Sequence, residues 1–252
     1  MRYIIILSAL FACACSGGTQ HKGQVVDIWG NPIEGATVKI KDQNERPMTD
    51  ANGWFALPTT GGSFTVKAGK EGYIEEELQL EWGDSKPTPI VRMYPRPEKP
   101  GFWVVGSAGY ESLGPQPVKA LGNEIKSLYG IKTLGDVSVD GSELKIIYHT
   151  DLRLDQVMTL EPQVHKLAFQ RDAELVGALS KEVRVNLWVS DQALSTGLKP
   201  MKSRTDYLLV VDGSLEPGAY ALTTNDLLSP KSDEAFSKIA EPLRIVFPME
   251  LR

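Results

Sequence analysis

The sequence predicts a mainly β protein, in which an N-terminal β-sandwich is followed by a second β-rich domain that is either another sandwich or an α+β sheet. Short runs of alternating apolar and polar residues recur from Gly23 to Tyr94, and clusters of turn residues separate them. Similar runs continue after residue 101, where two or three helical stretches join them. Period-two alternation between turns is typical of antiparallel strands. With 252 residues, of which 42% are apolar, the chain is long enough to bury two cores.

Residues 1–14 have the features of a cleaved signal peptide. The apolar run IIILSALFA, residues 4–12, is too short to cross a bilayer as a helix, which takes about 20 apolar residues. The two cysteines of the chain, Cys13 and Cys15, follow this run with one alanine between them. A disulfide at that spacing is strained, and no further cysteine exists to complete a thiolate metal site. Lipid attachment to a thiol is a third interpretation.

The segment resembles a bacterial lipoprotein signal, in which a small or aliphatic stretch ending in Ala or Gly precedes the modified cysteine. Two registers fit, because both Ala12-Cys13-Ala14 and Leu10-Phe11-Ala12 end immediately before a cysteine. We favour lipid attachment at Cys15, followed by a tether over residues 15–22, and keep Cys13 as the alternative. An ordinary secretory cleavage after Ala12-Cys13-Ala14 also fits.

The location expected from this resemblance is the bacterial cell envelope. The resemblance implies that an Asp directly after the modified cysteine is a signal for retention at the inner membrane. Ser16 stands at that position after Cys15, so we expect the outer membrane.

The formal net charge is -5, which offers nothing to attract nucleic acid, because nucleic-acid binding takes a basic patch or a strongly basic domain. We therefore expect no nucleic-acid partner.

Residues 23–95 carry three spaced motifs. They are Gly23-x-Val25-x-Asp27-x-x-Gly30-x-Pro32-Ile33-x-Gly35-Ala36-x-Val38, Thr49-Asp50-x-Asn52-Gly53-x-Phe55-x-Leu57-Pro58, and Phe64-x-Val66 leading to Gly72-Tyr73. In this order they resemble the carboxypeptidase regulatory-like domain, a transthyretin-like or prealbumin-like β-sandwich. The resemblance implies a non-catalytic appendage that folds, spaces or docks, and its glycines are interpreted as turn formers.

Two features of the same segment have alternative interpretations. Asp50 to Gly53 begin like a calcium loop, but Gly61 stands where the twelfth-position Glu is needed, so we predict a hairpin turn. The large aromatic residues are expected in the core, although exposed rings would stack on sugars; they are Trp29, Trp54, Tyr73 and Trp82.

Residues 96–100 are predicted to be a Pro-rich linker, stiff and extended, before a β-rich domain of unknown family over residues 101–252. The apolar spacing of residues 117–130 predicts a helix that ends at Gly130. Residues 151–180 are ambiguous: VHKLAFQ suits a strand, whereas DAELVGALS suits one or two helical turns. A short helix with Ser229 as its cap is predicted in SPKSDEAFSKIAEPL. Strands are predicted in FWVV, ELKIIYH, VRVNLWV, DYLLVVD, AYALTT and LRIVFPMEL, with the turn SLEPG joining DYLLVVD to AYALTT as a hairpin.

No residue pattern identifies catalytic chemistry, a cofactor or a metal. His21 lies in the tether, His149 and His165 lie in or near predicted strands, and no HExxH pair is present. Ser107 lacks the glycine two residues earlier that a nucleophile elbow needs. Ser142 and Lys145 have the Ser-x-x-Lys spacing, but on a strand they point to opposite faces.

The function expected is therefore non-catalytic. We predict a lipid-anchored envelope protein that acts as a binding or scaffolding module for an unidentified envelope protein or polysaccharide. The alternative is an envelope hydrolase with its active site in residues 101–252, which would place His149 or His165 beside an acid or a hydroxyl in a polar cleft.

Overall fold

The computed structural model describes residues 22–44, 46–56, 62–83, 86–122, 127–139, 144–176 and 182–252. The signal peptide, both cysteines, His21 and Ser142 lie outside these ranges, so the predictions made for them are not addressed. Within the described ranges, no helix combines the length and the apolar character needed to span a membrane.

The N-terminal part is a sandwich of two three-stranded sheets. One sheet has the order β3-β1-β6 and the other has the order β2-β4-β5. The strands are β1 (Lys22–Asp27), β2 (Thr37–Ile40), β3 (Trp54–Ala56), β4 (Gly62–Gly69), β5 (Glu76–Trp82) and β6 (Ile90–Met93). The predicted sandwich is confirmed, but it is not wholly antiparallel, because β1 and β6 run parallel.

Alternating apolar residues of these strands fill the space between the two sheets. Val25, Phe55 and Met93 come from one sheet, and Val38 and Val66 come from the other; all are buried. Their polar neighbours along each strand point outward, as the pleat of a strand requires. The alternation seen in the sequence is therefore the inside and outside of this sandwich.

The part after residue 101 contains two larger sheets. One is five-stranded, in the order β16-β17-β13-β7-β8, and the other is eight-stranded, in the order β10-β11-β15-β14-β18-β19-β12 with β9 beside β19. The strands are β7 (Gly101–Val105), β8 (Tyr110–Ser112), β9 (Gln116–Pro117), β10 (Lys119–Gly122), β11 (Ser127–Ile131), β12 (Ser138–Val139), β13 (Ile146–His149), β14 (Gln163–Val176), β15 (Glu182–Leu194), β16 (Thr196–Pro200), β17 (Asp206–Val211), β18 (Gly218–Thr223) and β19 (Ile245–Leu251). The helices are α1 (Leu154–Val157), α2 (Asp233–Lys238) and a 3-10 turn at Glu241–Leu243.

The eight-stranded sheet is covered on both faces. Tyr220 and Leu222 point into the core that it shares with the five-stranded sheet, whereas Ala219 and Ala221 point the other way. On that second face the sheet packs against Phe236 of α2. The second part is thus a sandwich with a helical layer on one side, which confirms the mainly β class.

The helix predicted over residues 117–130 is wrong, because this segment forms β10 and β11. Leu121 and Leu128, which share a helical face in the prediction, are direct partners in this antiparallel pair. Gly130 does not end a helix. It lies opposite Val189, where a Cβ atom would come 2.4 Å from the carbonyl oxygen of Trp188. Pairing with the distant strand β15 therefore overrides the local apolar spacing.

The hairpin predicted across SLEPG is also wrong. β17 pairs with β13 and β16 in the five-stranded sheet, whereas β18 pairs with β14 and β19 in the eight-stranded sheet. Leu215 of the connection is buried in the core between the sheets. The segment therefore crosses from one sheet to the other, because its apolar residue is held inside and not at a turn tip.

Two smaller predictions need correction. Residues 172–176 continue strand β14 and are not helical. The helix in SPKSDEAFSKIAEPL is confirmed, but its cap is Ser232 and not Ser229, since the Ser232 side chain accepts a hydrogen bond from the Ala235 amide. The division of the chain at residues 96–100 stays a prediction.

Candidate functional site

A set of polar and aromatic contacts joins the N-terminal sandwich to the rest of the chain. Asp27 at the end of β1 accepts hydrogen bonds from the amides of Trp29 and Asn31, which folds a tight loop. This loop presents Trp29, whose indole N–H donates to the carbonyl of Gly106 at 2.8 Å. The Trp29 and Tyr110 rings also form a T-shaped contact, with ring centroids 5.3 Å apart. The loop of the first sandwich thus places an anchor on the second part.

Tyr110 completes this contact from the other side. Its hydroxyl donates to the carbonyl of Pro95 at 2.8 Å. Burial, aided by the nearby Tyr94 and Asp206, raises the pKa of the Tyr110 phenol well above its usual value, so the hydroxyl stays protonated and remains a donor. The segment after the first sandwich is therefore fixed to the second part.

A buried carboxylate, Asp206, organises the second contact between the two parts. Its side chain is fully buried and lies 2.7 Å from Nδ1 of His149. The hydroxyls of Ser203 and Thr205 donate to its other oxygen, and the guanidinium of Arg96 lies 3.4 Å away. Four neighbouring side chains therefore provide hydrogen bonds or opposite charge to this carboxylate. A buried charge requires such partners.

Arg96 is held to the first sandwich as well. Its amide donates to the carbonyl of Gly72 at 2.8 Å, and the amide of Ile74 donates to Tyr94. Residues 94–96 therefore pair with residues 72–74 of the sandwich, while the Arg96 side chain reaches Asp206. One residue thus connects both parts of the molecule.

A cleft of about 780 Å³ lies beside the Arg96 connection. The first sandwich contributes the turn between β4 and β5, the linker contributes Arg96, and the second part contributes the turn before β17. The lining residues are Gly35, Thr37, Gly69, Lys70, Glu71, Gly72, Tyr73, Glu75, Arg96, Lys202, Ser203, Arg204 and Thr205. Of its charged side chains, four are basic and two are acidic, so the cleft is electropositive although the chain carries a net charge of -5.

The outer face of sheet β2-β4-β5 continues this electropositive surface. Lys39, Lys41 and Lys67 line a shallow groove there, together with Thr65 and Glu77. Lys39 and Lys67 are direct partners across β2 and β4. The next pair along the same face, Thr37 and Gly69, lines the cleft. The groove and the cleft therefore form one surface.

Each histidine of the alternative hydrolase lies beside an acid or a hydroxyl, as that hypothesis requires, but neither lines the cleft. His149 contacts Asp206, and among the described residues no hydroxyl or thiol hydrogen-bonds to its ring. His165 does contact a hydroxyl, that of Ser190 at 2.8 Å, and Gln163 at 3.1 Å, but its ring is wholly buried, which closes it to a substrate. The part of the chain that the structure describes also holds no group of three or more potential metal ligands among His, Cys, Asp and Glu.

Other predicted features have clear positions. Asp50 to Gly53 form a turn, in which the Asp50 carboxylate accepts from the amides of Asn52 and Trp54. Ser107 is exposed in the turn after β7. None of the four large aromatic residues singled out in the first sandwich is exposed: Trp82 is buried, and Trp29, Trp54 and Tyr73 are half-buried. They form no open stacking platform for sugars.

The residues of the cleft were missed from the sequence. Arg96 lies in the predicted linker, and Lys202 to Thr205 precede the predicted strand DYLLVVD, which begins at Asp206. The available signal was the run KSRTD, which combines two cations with two hydroxyls and an acid. The net charge gives no indication of this basic surface, because a negative total says nothing about the local distribution of charges.

Comparison with protein families identifies the first sandwich. Residues 22–92 match the family model of the carboxypeptidase regulatory-like domain. This part of the chain is a carboxypeptidase regulatory-like domain. The resemblance predicted from the three motifs is thereby confirmed. The match ends before the cleft residues Arg96 and Lys202 to Thr205, so the carboxypeptidase regulatory-like domain supplies only one wall of the cleft.

Two further comparisons concern the whole chain. No curated protein matches it. Among solved structures it is similar to the crystal structure of BcpA, the major pilin subunit of Bacillus cereus, with 10% identity, 92% of this chain and 68% of that chain covered, and a TM-score of 0.23. The match over residues 22–92 is therefore the comparison that bears on identity.

Proposed function

We propose that the protein is a non-catalytic, lipid-anchored protein of the bacterial cell envelope that holds a partner in the cleft between its two parts. The observation that carries this proposal is the shared cleft, whose walls come from the carboxypeptidase regulatory-like domain, from Arg96 and from Lys202 to Thr205. The groups beneath it, centred on Asp206, are hydrogen-bonded to one another. Such mutual satisfaction suits a rigid binding surface more than a catalytic site, where an attacking group has to face a substrate.

The anchor rests on the sequence. An apolar run too short to span a bilayer, followed by small residues and Cys15, is what a lipoprotein signal takes, with Cys13 as the alternative attachment site. Ser16 after the cysteine favours the outer membrane. A lipid at this position would hold the carboxypeptidase regulatory-like domain close to the membrane.

Cell fractionation tests the anchor. The full-length protein with a C-terminal tag is expected in the membrane fraction, and the double variant Cys13→Ser with Cys15→Ser is expected to be released or left unprocessed. The two single variants are the matched controls, since only loss of the true attachment site should reproduce the double variant. Full membrane retention of the double variant would contradict the anchor.

Crosslinking in intact cells tests the binding role. A crosslinkable residue at Arg204, on the cleft wall, is expected to capture an envelope component, whereas one at exposed Lys231, which does not line the cleft, is the control. One dominant protein would identify an accessory subunit, and retention on cell-wall or surface polysaccharide would identify a glycan. Equal and diffuse labelling from both positions would contradict a binding role for the cleft.

A further inference from the structure

Basic side chains are concentrated along one line of the surface. Seven line the cleft and the adjoining groove, where they face three carboxylates, so this surface carries an excess of four positive charges on a chain of net charge -5. We call it the basic strip: Lys39, Lys41, Lys67, Lys70, Arg96, Lys202 and Arg204. The remainder of the chain is correspondingly acidic, so an anionic ligand is directed to this strip.

The strip is built in rows across the strands. Lys39 and Lys67 form one row with Glu77, and Lys41 lies two residues further along the chain, just past the end of β2. Rows two residues apart repeat about every 7 Å along a strand. Towards the other end, Thr37 and Gly69 lead into the cleft, which holds Lys70 and the two arginines. The surface therefore presents cations at intervals along a line, as an extended polymer would meet them.

One pair of lysines in the basic strip destabilises the sheet that carries it. Lys39 and Lys67 stand directly opposite each other, and like charges in that relation destabilise a sheet. Glu75 neutralises Lys67 at 2.6 Å, and Glu77 approaches Lys202 at 3.5 Å. Among the described residues, however, Lys39, Lys41, Lys70 and Arg204 have no acidic partner. Four unpaired cations on one surface are available to a ligand.

We propose that the basic strip binds an acidic polysaccharide, a linear sugar polymer that carries carboxylate or phosphate groups. This inference rests on the proposed binding function and names its ligand class. Arg96 and Arg204 supply guanidinium groups, whose planar donors match carboxylate and phosphate oxygens, and Thr37 and Thr65 lie between the cations as hydroxyl partners. The ligand is recognised by charge and hydrogen bonds, since the aromatic residue of the cleft lining, Tyr73, is half-buried.

A polymer fits this surface better than a membrane does. The cleft is concave and lies between the two parts of the molecule, so a flat bilayer does not enter it. None of the side chains that line the strip is a large exposed apolar one, which insertion among lipids would take. The experiment below therefore distinguishes binding to an acidic polysaccharide from binding to anionic lipid.

Binding of purified full-length protein in detergent micelles to defined polymers tests the proposal. Polygalacturonate supplies carboxylates, a phosphorylated mannan supplies phosphates, and dextran is the neutral control. We expect binding to at least one charged polymer but not to dextran, and loss of affinity when NaCl is raised from about 50 mM to about 500 mM, because salt screens exposed charges.

Charge-matched variants locate the binding site. Lys70→Glu with Arg204→Glu changes the cleft, and Lys39→Glu with Lys41→Glu changes the groove; each pair is expected to weaken binding about tenfold. Lys132→Glu with Lys231→Glu makes the same change in net charge at exposed positions outside the strip, and less than a roughly twofold effect is expected. All six side chains are exposed, so circular dichroism should show folded protein throughout.

Three results would overturn the proposal. An equal loss in the control pair would mean that only net charge acts. Stronger binding to phosphatidylglycerol than to neutral phosphatidylcholine vesicles, weakened by the two strip pairs, together with binding to neither charged polymer, would make the strip a membrane contact. Binding to neither, while Arg204 still captures a partner in cells, would remove the polysaccharide but leave the proposed function standing.

Discussion

The carboxypeptidase regulatory-like domain and the part after residue 101 are both built from two packed sheets, yet they differ in how the sheets are specified. In the first, short loops carry much of the structure: the Asp27 carboxylate binds amides two and four residues away, and the Asp50 carboxylate does the same. In the second, β12 pairs with β19, so that Ser138 meets Glu250 from the far end of the chain. The first part also has a distant pairing, between β1 and β6, but its loops are shaped by side-chain contacts within a few residues.

The interface between the two parts combines both kinds of contact. The first domain contributes Trp29 from a loop that it forms through its own contacts. The second contributes Asp206, which is buried only because β17 pairs with β13 and brings His149 beside it. A locally formed anchor thus meets a site that exists only once the larger sheets have assembled.

The largest expected effect concerns a local backbone contact of the first domain. Gly53 has φ +73°, and a Cβ atom there would come 2.3 Å from the carbonyl oxygen of Val25. Gly53→Ala should therefore lower the free energy of unfolding by about 3 kcal/mol, through backbone strain and a clash with backbone that cannot move aside. Urea unfolding followed by peptide-resolved hydrogen exchange measures the loss within residues 22–93.

Gly30→Ala is the matched control for Gly53→Ala. Gly30 has φ +92°, but a Cβ atom added there would meet no neighbour within 4 Å, so only the dihedral strain remains, about 1 kcal/mol. Equal losses of stability for the two variants would show that the close approach of Gly53 to β1 does not matter. That result would contradict the view that local contacts specify the first domain.

A smaller effect is expected at the junction. Asp206→Ala removes the acceptor for His149, Ser203 and Thr205 and leaves Arg96 without its carboxylate. Because His149 is partly and Arg96 substantially exposed, water relieves part of the loss, and we expect about 2 kcal/mol. Differential scanning calorimetry measures it, with Asp206→Asn as a control that keeps an acceptor oxygen. A variant as stable as the wild type would show that Asp206 does not hold the two parts together.

The same contrast explains what could be predicted from the sequence. Motifs such as Asp50 to Gly53 encode turns by dihedral preference and side-chain acceptors, which act within a few residues, so the first sandwich was predictable. Residues 117–130 also contain a local pattern, but a strand partner at Trp188 and Val189 decides their structure. Spacing along the chain contains no information about that partner.

The candidate site was hidden for a related reason. Lys70 and Arg204 are far apart in the sequence and line one cleft only because Arg96 is held at Gly72 on one side and Asp206 on the other. Lys39 and Lys67 are neighbours only because of the register in which β2 pairs with β4. Alternation predicts which side chains face outward, whereas register and docking decide which charges become neighbours.

The smallest expected effect concerns a buried titratable group of the second part. Burial lowers the pKa of His165 below its usual value, although the charge of Asp226 opposes this, so the folded state favours the neutral ring. As pH falls below about 6.5, the unfolded chain takes up a proton that the folded chain resists. The stabilisation is therefore complete above the unfolded pKa and is lost on acidification. Urea unfolding between about pH 7.5 and about pH 5.5 should show this loss as a lower free energy of unfolding, and His165→Gln should flatten the pH dependence. Ser190→Ala, which removes a hydrogen-bond partner but leaves the titrating ring, should lower stability yet keep the pH dependence. An unchanged slope in His165→Gln would assign the acid sensitivity to another group.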